Sequence, residues 1–97
     1  MLRSSKSKSD IAKITFAVPL DDVSTAVAVV GEFNAWDPTA HRLRKRSNGT
    51  RSVTVELPIG RSWEYLYVSP DGEFFADPTA EAHVPNPYGG SNSVLTT

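Results

Sequence analysis

Apolar side chains recur at every second position in this chain, in short runs that Gly, Pro, Asn and Asp repeatedly interrupt. That spacing sends alternate side chains to opposite sides of an extended backbone, so each run has one face to bury and needs another sheet to bury it against. In "IAKITFAVP" Ile14, Phe16 and Val18 share one side, Lys13, Thr15 and Ala17 the other, and Pro19 stops the run. "STAVAVVGEF" places Val27, Val29 and Phe33 in phase as a second strand, with Gly31 where a bulge or a close backbone approach fits. Read as a strand, "HRLRKR" puts Arg42, Arg44 and Arg46 on one face and Leu43 and Lys45 on the other. Asn48-Gly49 is a favoured two-residue hairpin turn, because both residues tolerate positive φ, and "RSVTVELP" returns with Val53, Val55 and Leu57 opposed to Thr54 and Glu56. "WEYLYVS" is apolar on both faces, the pattern of a central strand. "PDG" turns the chain into "EFFAD", the Pro-rich "DPTAEAHVPNPYGG" holds no regular element for long, and "SNSVLTT" closes with a last strand.

About seven short strands, tight turns at regular spacing and no helical periodicity predict an all-β fold, an immunoglobulin-like antiparallel β-sandwich. The Cys-Trp-Cys signature of antibody domains is absent, so only the architecture carries over. A chain of 97 residues has room for one such domain. Residues 1-10, "MLRSSKSKSD", are basic and serine-rich with almost nothing to bury; they are expected to form a disordered arm, leaving 11-97 as the single sandwich domain.

Composition narrows the function classes. Ten Lys and Arg against eleven Asp and Glu give a net charge of -1, which implies neither a nucleic-acid backbone nor an acidic membrane as partner; a charge-driven partner would need a local patch. No aromatics interleave with "HRLRKR" as a single-strand nucleic-acid binder would want, so it reads as a solvated sheet face. The absence of cysteine excludes a disulfide framework and a thiolate metal site and fits a reducing compartment. No stretch approaches the ~18 apolar residues of a membrane span and no apolar signal core is present, so a cytoplasmic protein is expected. His41 and His83 lack companions at ligand spacing, and no metal or cofactor is expected. Asp71, Glu73 and Asp77 cluster around a turn, where Asp serves backbone hydrogen bonding, and no Ser-His-Asp or Cys-His pairing is readable; no catalytic residue is assigned.

What remains is a set of aromatic and amide side chains in turns and at strand ends: Trp36, Phe74, Tyr88 and Asn92. A sugar ring presents a patch of C–H bonds on one face and hydroxyls around its rim. A binder therefore needs an aromatic plate with short polar groups beside it, and an Asn amide both donates and accepts.

Three ordered motifs carry a resemblance. "VAVVGEFNAWDP" looks like "V-x-G-x-F-N-x-W", "YLYVSPDGEFFADP" is similar to "Y-x-F-x-V-D-G-x-W-x-x-D-P", and "NPYGGSNSVL" resembles "G-x-x-N-x-V-L". These belong to the glycogen-binding domain of the AMP-activated protein kinase beta subunit and the N-terminal sandwich of isoamylases and glycogen branching enzymes. The resemblance implies an early-set immunoglobulin-like sandwich that binds α-glucans, as polysaccharide or maltooligosaccharide, without catalytic residues of its own. It places Trp36 on the family's first stacking tryptophan and Asn92 on the amide that meets sugar hydroxyls. Phe74 falls on the second tryptophan and Leu66 on a lysine that contacts sugar oxygens, while Tyr88 and Gly90 replace a leucine and a threonine near the closing loop. Leu66 cannot donate a hydrogen bond, and Phe74 offers a smaller ring without an indole N–H. Two readings stand: a glucan-binding module, or an interaction sandwich that packs on or recruits a glucan-metabolising enzyme with weak or no sugar affinity.

Overall fold

The computed structural model describes residues 2–8, 10–19, 26–47, 49–87 and 90–97, with residues 2–8 and 19 described by their backbone alone. Among them the chain forms β1 (Leu2–Lys8), β2 (Ile11–Pro19), β3 (Ala28–Gly31), a 3-10 turn (Glu32–Asn34), β4 (Arg44–Lys45), β5 (Thr50–Pro58), β6 (Ser62–Val68), β7 (Phe74–Phe75), β8 (Ala82–Pro85) and β9 (Ser91–Thr96). One sheet runs β1-β2-β5-β4; the other runs β3-β6-β9-β8, with β7 also paired to β6. All pairings are antiparallel. The architecture is the all-β sandwich that the alternation predicts.

Register explains the core. β2 and β5 align Ala12 with Leu57, Ile14 with Val55 and Phe16 with Val53, so the apolar sets of both strands fall on one face. That face meets Val29, Trp63, Tyr65, Tyr67 and Leu95 from the second sheet, and the two sets form the main core. Phe16 lies at its centre, 5.2 Å edge-to-face from Tyr65 and 6.4 Å from Tyr67, arrangements that suit the ring quadrupoles. β6 is central, as its two apolar faces predict: it pairs with β3 on one side and with β9 and β7 on the other. Its outward residues Leu66 and Val68 join Ala28 and Val30 in a second apolar cluster on the outer face of that sheet.

Four segments depart from the sequence expectations. Residues 2–8, expected as part of a disordered arm, run antiparallel to β2 from Leu2 opposite Phe16 to Lys8 opposite Ile11. Main-chain pairing to a sheet edge needs no apolar pattern, which is why composition did not reveal it. β3 stops at Gly31, and Phe33 reaches the core from the 3-10 turn, its ring stacked 5.8 Å from Phe16. Strand β4 is only two residues long because its approach divides its bonds between sheets: the Val29 N–H donates to the His41 carbonyl, the Leu43 N–H to the Val27 carbonyl, and only then do Arg44 and Lys45 pair with β5. Lastly, the Pro-rich stretch does hold a strand, β8, on the sheet edge where Pro85 lacks no ladder donor that matters. Of the expected hairpin turn, Gly49 has φ 80 as such a turn requires, and Asn48 lies outside the described residues.

Candidate functional site

The segment Gly31 to Pro38 is built around Asn34. Its amide oxygen accepts from the Gly31 N–H at 3.0 Å, and its amide nitrogen donates to the Val29 carbonyl at 3.1 Å and to His41 Nδ1 at 2.9 Å. The same side chain therefore ties the end of β3 to the return segment. Gly31 is required here by space and not by its extended φ of -174: an added Cβ would sit 2.6 Å from the Glu64 carbonyl oxygen and 2.6 Å from the Phe33 ring. Ala35 and Trp36 then adopt φ of 56 and 60, two successive left-handed residues without glycine, each held against a penalty of about 1 kcal/mol or more. The Trp36 N–H donates to the Gly31 carbonyl at 3.0 Å, and Asp37 Oδ1 accepts from both the N–H and hydroxyl of Thr39 at 2.9 and 2.7 Å. Those bonds hold the Asp37 carboxyl below the usual carboxylate range.

This turn lays the indole of Trp36 back over the outer face of the second sheet, where it is half-buried and packs against the cluster of Ala28, Val30, Leu66 and Val68. Phe74 arrives from the other side. The Ser69 N–H donates to the Glu73 carbonyl and the Gly72 N–H to the Ser69 carbonyl, with Gly72 at φ 84; the tight turn opposes Phe74 to Val68. Phe74 is 50% exposed, the most solvent-facing large apolar side chain among the described residues. Asn92 lies on β9 one register step beyond the Tyr65–Ser93 pair, beside Leu66, and faces outward.

Trp36, Leu66, Phe74, Asn86, Pro87 and Asn92 line one hollow of about 400 Å3. Four side chains singled out in the sequence are thus brought together; Tyr88 lies outside the described residues. Of the two rings, Phe74 offers more free surface than Trp36. The Asn92 amide is fixed from both ends: its oxygen accepts from Asn86 Nδ2 at 3.1 Å and its nitrogen donates to Glu64 Oε1 at 3.0 Å. Each end keeps capacity for one further bond. Asn86 and Glu64 escaped sequence reasoning. The signal for Glu64 was its place two residues before Leu66 on the same strand face, whereas Asn86 sits in a stretch with no periodicity to assign it.

Chemically, the hollow offers apolar walls and two amides. No titratable side chain is among its described lining residues. Asp71 and Glu73 are exposed, while Asp77 is fully buried on the inner side of the sheet, so the three acids do not form one group. Asp77 Oδ2 accepts from the Tyr65 and Tyr67 phenols at 2.9 and 3.4 Å, and Oδ1 accepts from the N–H and hydroxyl of Thr79 at 2.8 and 2.7 Å. The Asp77 N–H donates to Ser93 Oγ at 2.7 Å, and His83 Nε2 donates to the Asp77 carbonyl at 2.8 Å. Burial above all, with the charge of Asp77 next, pushes both phenols far above the usual tyrosine range. Among the described residues no group of three or more His, Cys, Asp or Glu could hold a metal, and no helix is long and apolar enough to cross a membrane.

No family model matches the chain. Over 57 residues it is 39% identical to the 1,4-alpha-glucan branching enzyme GlgB 2 of Xanthomonas campestris pv. campestris, a match covering 56% of this chain and 8% of that enzyme. Over 67 residues it is 32% identical to the 1,4-alpha-glucan branching enzyme GlgB of Synechococcus elongatus, covering 68% of this chain and again 8% of the enzyme. The chain thus spans less than a tenth of the length of these relatives. Among solved structures, the enterobactin esterase FES from Shigella flexneri superposes with a TM-score of 0.75 at 13% identity, over 98% of this chain and 32% of that one. That likeness shows the fold. The sequence matches relate part of this sandwich to a short segment of glucan branching enzymes.

Proposed function

We propose that this domain is a non-catalytic α-glucan-binding module, taking glycogen, starch or a maltooligosaccharide at the hollow between Trp36 and Phe74. The observation that carries the reading is that Trp36, Leu66, Phe74 and Asn92, distant in sequence, line a single hollow on the outer face of one sheet. A pyranose lies with its C–H face on the exposed Phe74 ring and against the free edge of Trp36, excluding water from apolar surface. Asn92, oriented by Asn86 and Glu64, meets adjacent hydroxyls as donor and acceptor. The similarity to branching enzymes supports a glucan as the ligand class. The lack of cysteine fits work in the cytoplasm. Leu66 in place of a lysine and Phe74 in place of a tryptophan lower affinity by about 1 to 3 kcal/mol, or roughly 10 to 100 fold, against the pattern the motifs resemble.

The test is calorimetric titration with maltoheptaose and β-cyclodextrin. Saturable binding is expected, weakened about 10 fold by Phe74→Ala, by Trp36→Ala and by Glu64→Ala, with Glu64→Gln close to wild type because it keeps the acceptor for Asn92. Unchanged affinity in both ring variants would remove this site. A second reading uses the same surface to dock a glucan-metabolising enzyme, and the observation favouring it is the half-exposed Phe74 beside Leu66, an apolar pair suited to a protein side chain. A Phe74-dependent complex with a branching or debranching enzyme, formed without any glucan response, would select it.

A further inference from the structure

The net charge of -1 conceals an uneven distribution. Strands β2, β4 and β5 carry Lys13, Arg44, Lys45 and Arg51, with Arg46 directly following β4, and their one carboxylate is Glu56. Glu56 stands opposite Lys13 in register, and it lies four residues along β5 from Ser52, roughly 13 Å at about 3.3 Å per residue. Among the described residues, the end of the sheet near Arg46 therefore has cations without a neighbouring acid.

That end is concave. Thr15, Arg46, Thr50, Ser52 and Thr54 line a hollow of about 550 Å3 on the outer face of the first sheet, the side of the sandwich opposite Trp36 and Phe74. Arg46 lies across it, donating from Nε to Ser52 Oγ at 2.8 Å and from Nη2 to the Ser52 carbonyl at 3.3 Å. Two bonds to one residue fix the guanidinium plane and leave Nη1 without a partner among the described residues. Ser52, only 9% exposed, accepts from Arg46 and so keeps its own hydroxyl hydrogen to give. Thr15 and Thr54 share one hydrogen at 3.0 Å, which frees the hydrogen of whichever hydroxyl accepts.

The geometry points to an oxyanion site for a phosphate monoester or inorganic phosphate, held by Arg46 Nη1 and the hydroxyls of Ser52 and Thr15 or Thr54. A doubly charged phosphoryl group offers acceptors alone and matches this set of donors, and charge-assisted bonds of that kind are the strong ones. Among the described lining residues the one charged side chain is Arg46, with no carboxylate beside it, so a neutral sugar would leave that cation without a counter-charge.

The experiment is an amide and guanidinium NMR titration of the 97-residue chain with inorganic phosphate, glucose 6-phosphate and glucose, at constant ionic strength balanced with sodium chloride. Saturable shifts are expected at Thr15, Ser52, Thr54 and Arg46 Nε with both phosphates and not with glucose. Arg46→Ala should weaken binding at least 10 fold and Arg46→Lys by a smaller factor, while Trp36→Ala leaves it unchanged. Equal affinity for the two phosphates assigns the site to the free ion; tighter binding of glucose 6-phosphate assigns it to the ester. Shifts that chloride alone reproduces, or that persist in a folded Arg46→Ala variant, overturn the proposal.

Discussion

Replacing Asp77 with alanine removes the side-chain ties between the loop that follows Phe74 and the sheet beneath it. Two of the four side-chain bonds lost are to the phenols of Tyr65 and Tyr67, both 0% exposed, and neither hydroxyl has another partner among the described residues. The other two are to Thr79, which is exposed and recovers water. An orphaned buried donor costs about 1 to 3 kcal/mol, and the longer Tyr67 bond belongs at the lower end, so the loss is expected at about 3 to 4 kcal/mol. For a domain of this size that is a large part of a total of about 5 to 15 kcal/mol and lowers Tm by roughly 12 to 30 °C. Asp77→Asn keeps an oxygen for the phenols but turns an amide toward the Thr79 N–H, and should lose about half as much. Differential scanning calorimetry gives the numbers, and a double-mutant cycle with Tyr65→Phe isolates the bond, with a coupling of at least ~1 kcal/mol expected. A Tm within a few degrees of wild type for Asp77→Ala, or strict additivity with Tyr65→Phe, refutes the reasoning.

The same phenols set an alkaline limit. Their pKa values are raised in the folded chain, so the stability they contribute is complete below the unfolded tyrosine value of about 10 and is lost as pH climbs above it, at up to about 1.4 kcal/mol per pH unit for each phenol. Melting curves from pH 8 to 11.5 should fall steeply past pH 10 and less steeply in Tyr65→Phe; a flat profile contradicts this. Gly31→Ala forces a Cβ against the backbone oxygen of Glu64, which cannot yield as a side chain would, and should cost about 2 to 3 kcal/mol by urea denaturation. A neutral result would show that β3 and β6 are free to separate there.

Strands β2, β5, β6 and β9 were legible because their period-two patterns match the faces they bury, and the second sheet's central strand was legible from apolar residues on both of its sides. β4 was legible as the first arm of the hairpin with β5, but its shortness was not, because a segment that changes sheets spends half its bonds elsewhere and leaves a two-residue ladder. Asp77 read as one of three turn acids, since its partners Tyr65 and Ser93 are brought to it by pairing of β6 with β9 and not by proximity in the chain. Within the candidate site, Trp36, Phe74, Leu66 and Asn92 were found through motif order. Asn86 and Glu64 bond the Asn92 amide, and the Glu64 bond exists only once β9 lies beside β6.

The turn that carries Trp36 is fastened by Asn34 and Asp37 whether or not anything occupies the hollow. The loss of freedom needed to place that indole is therefore met when the domain folds, and the glucan proposed above would meet a ring already in position. Under that proposal, loosening Asn34, which lies outside the hollow's lining, would transfer the entropic burden to the moment of binding.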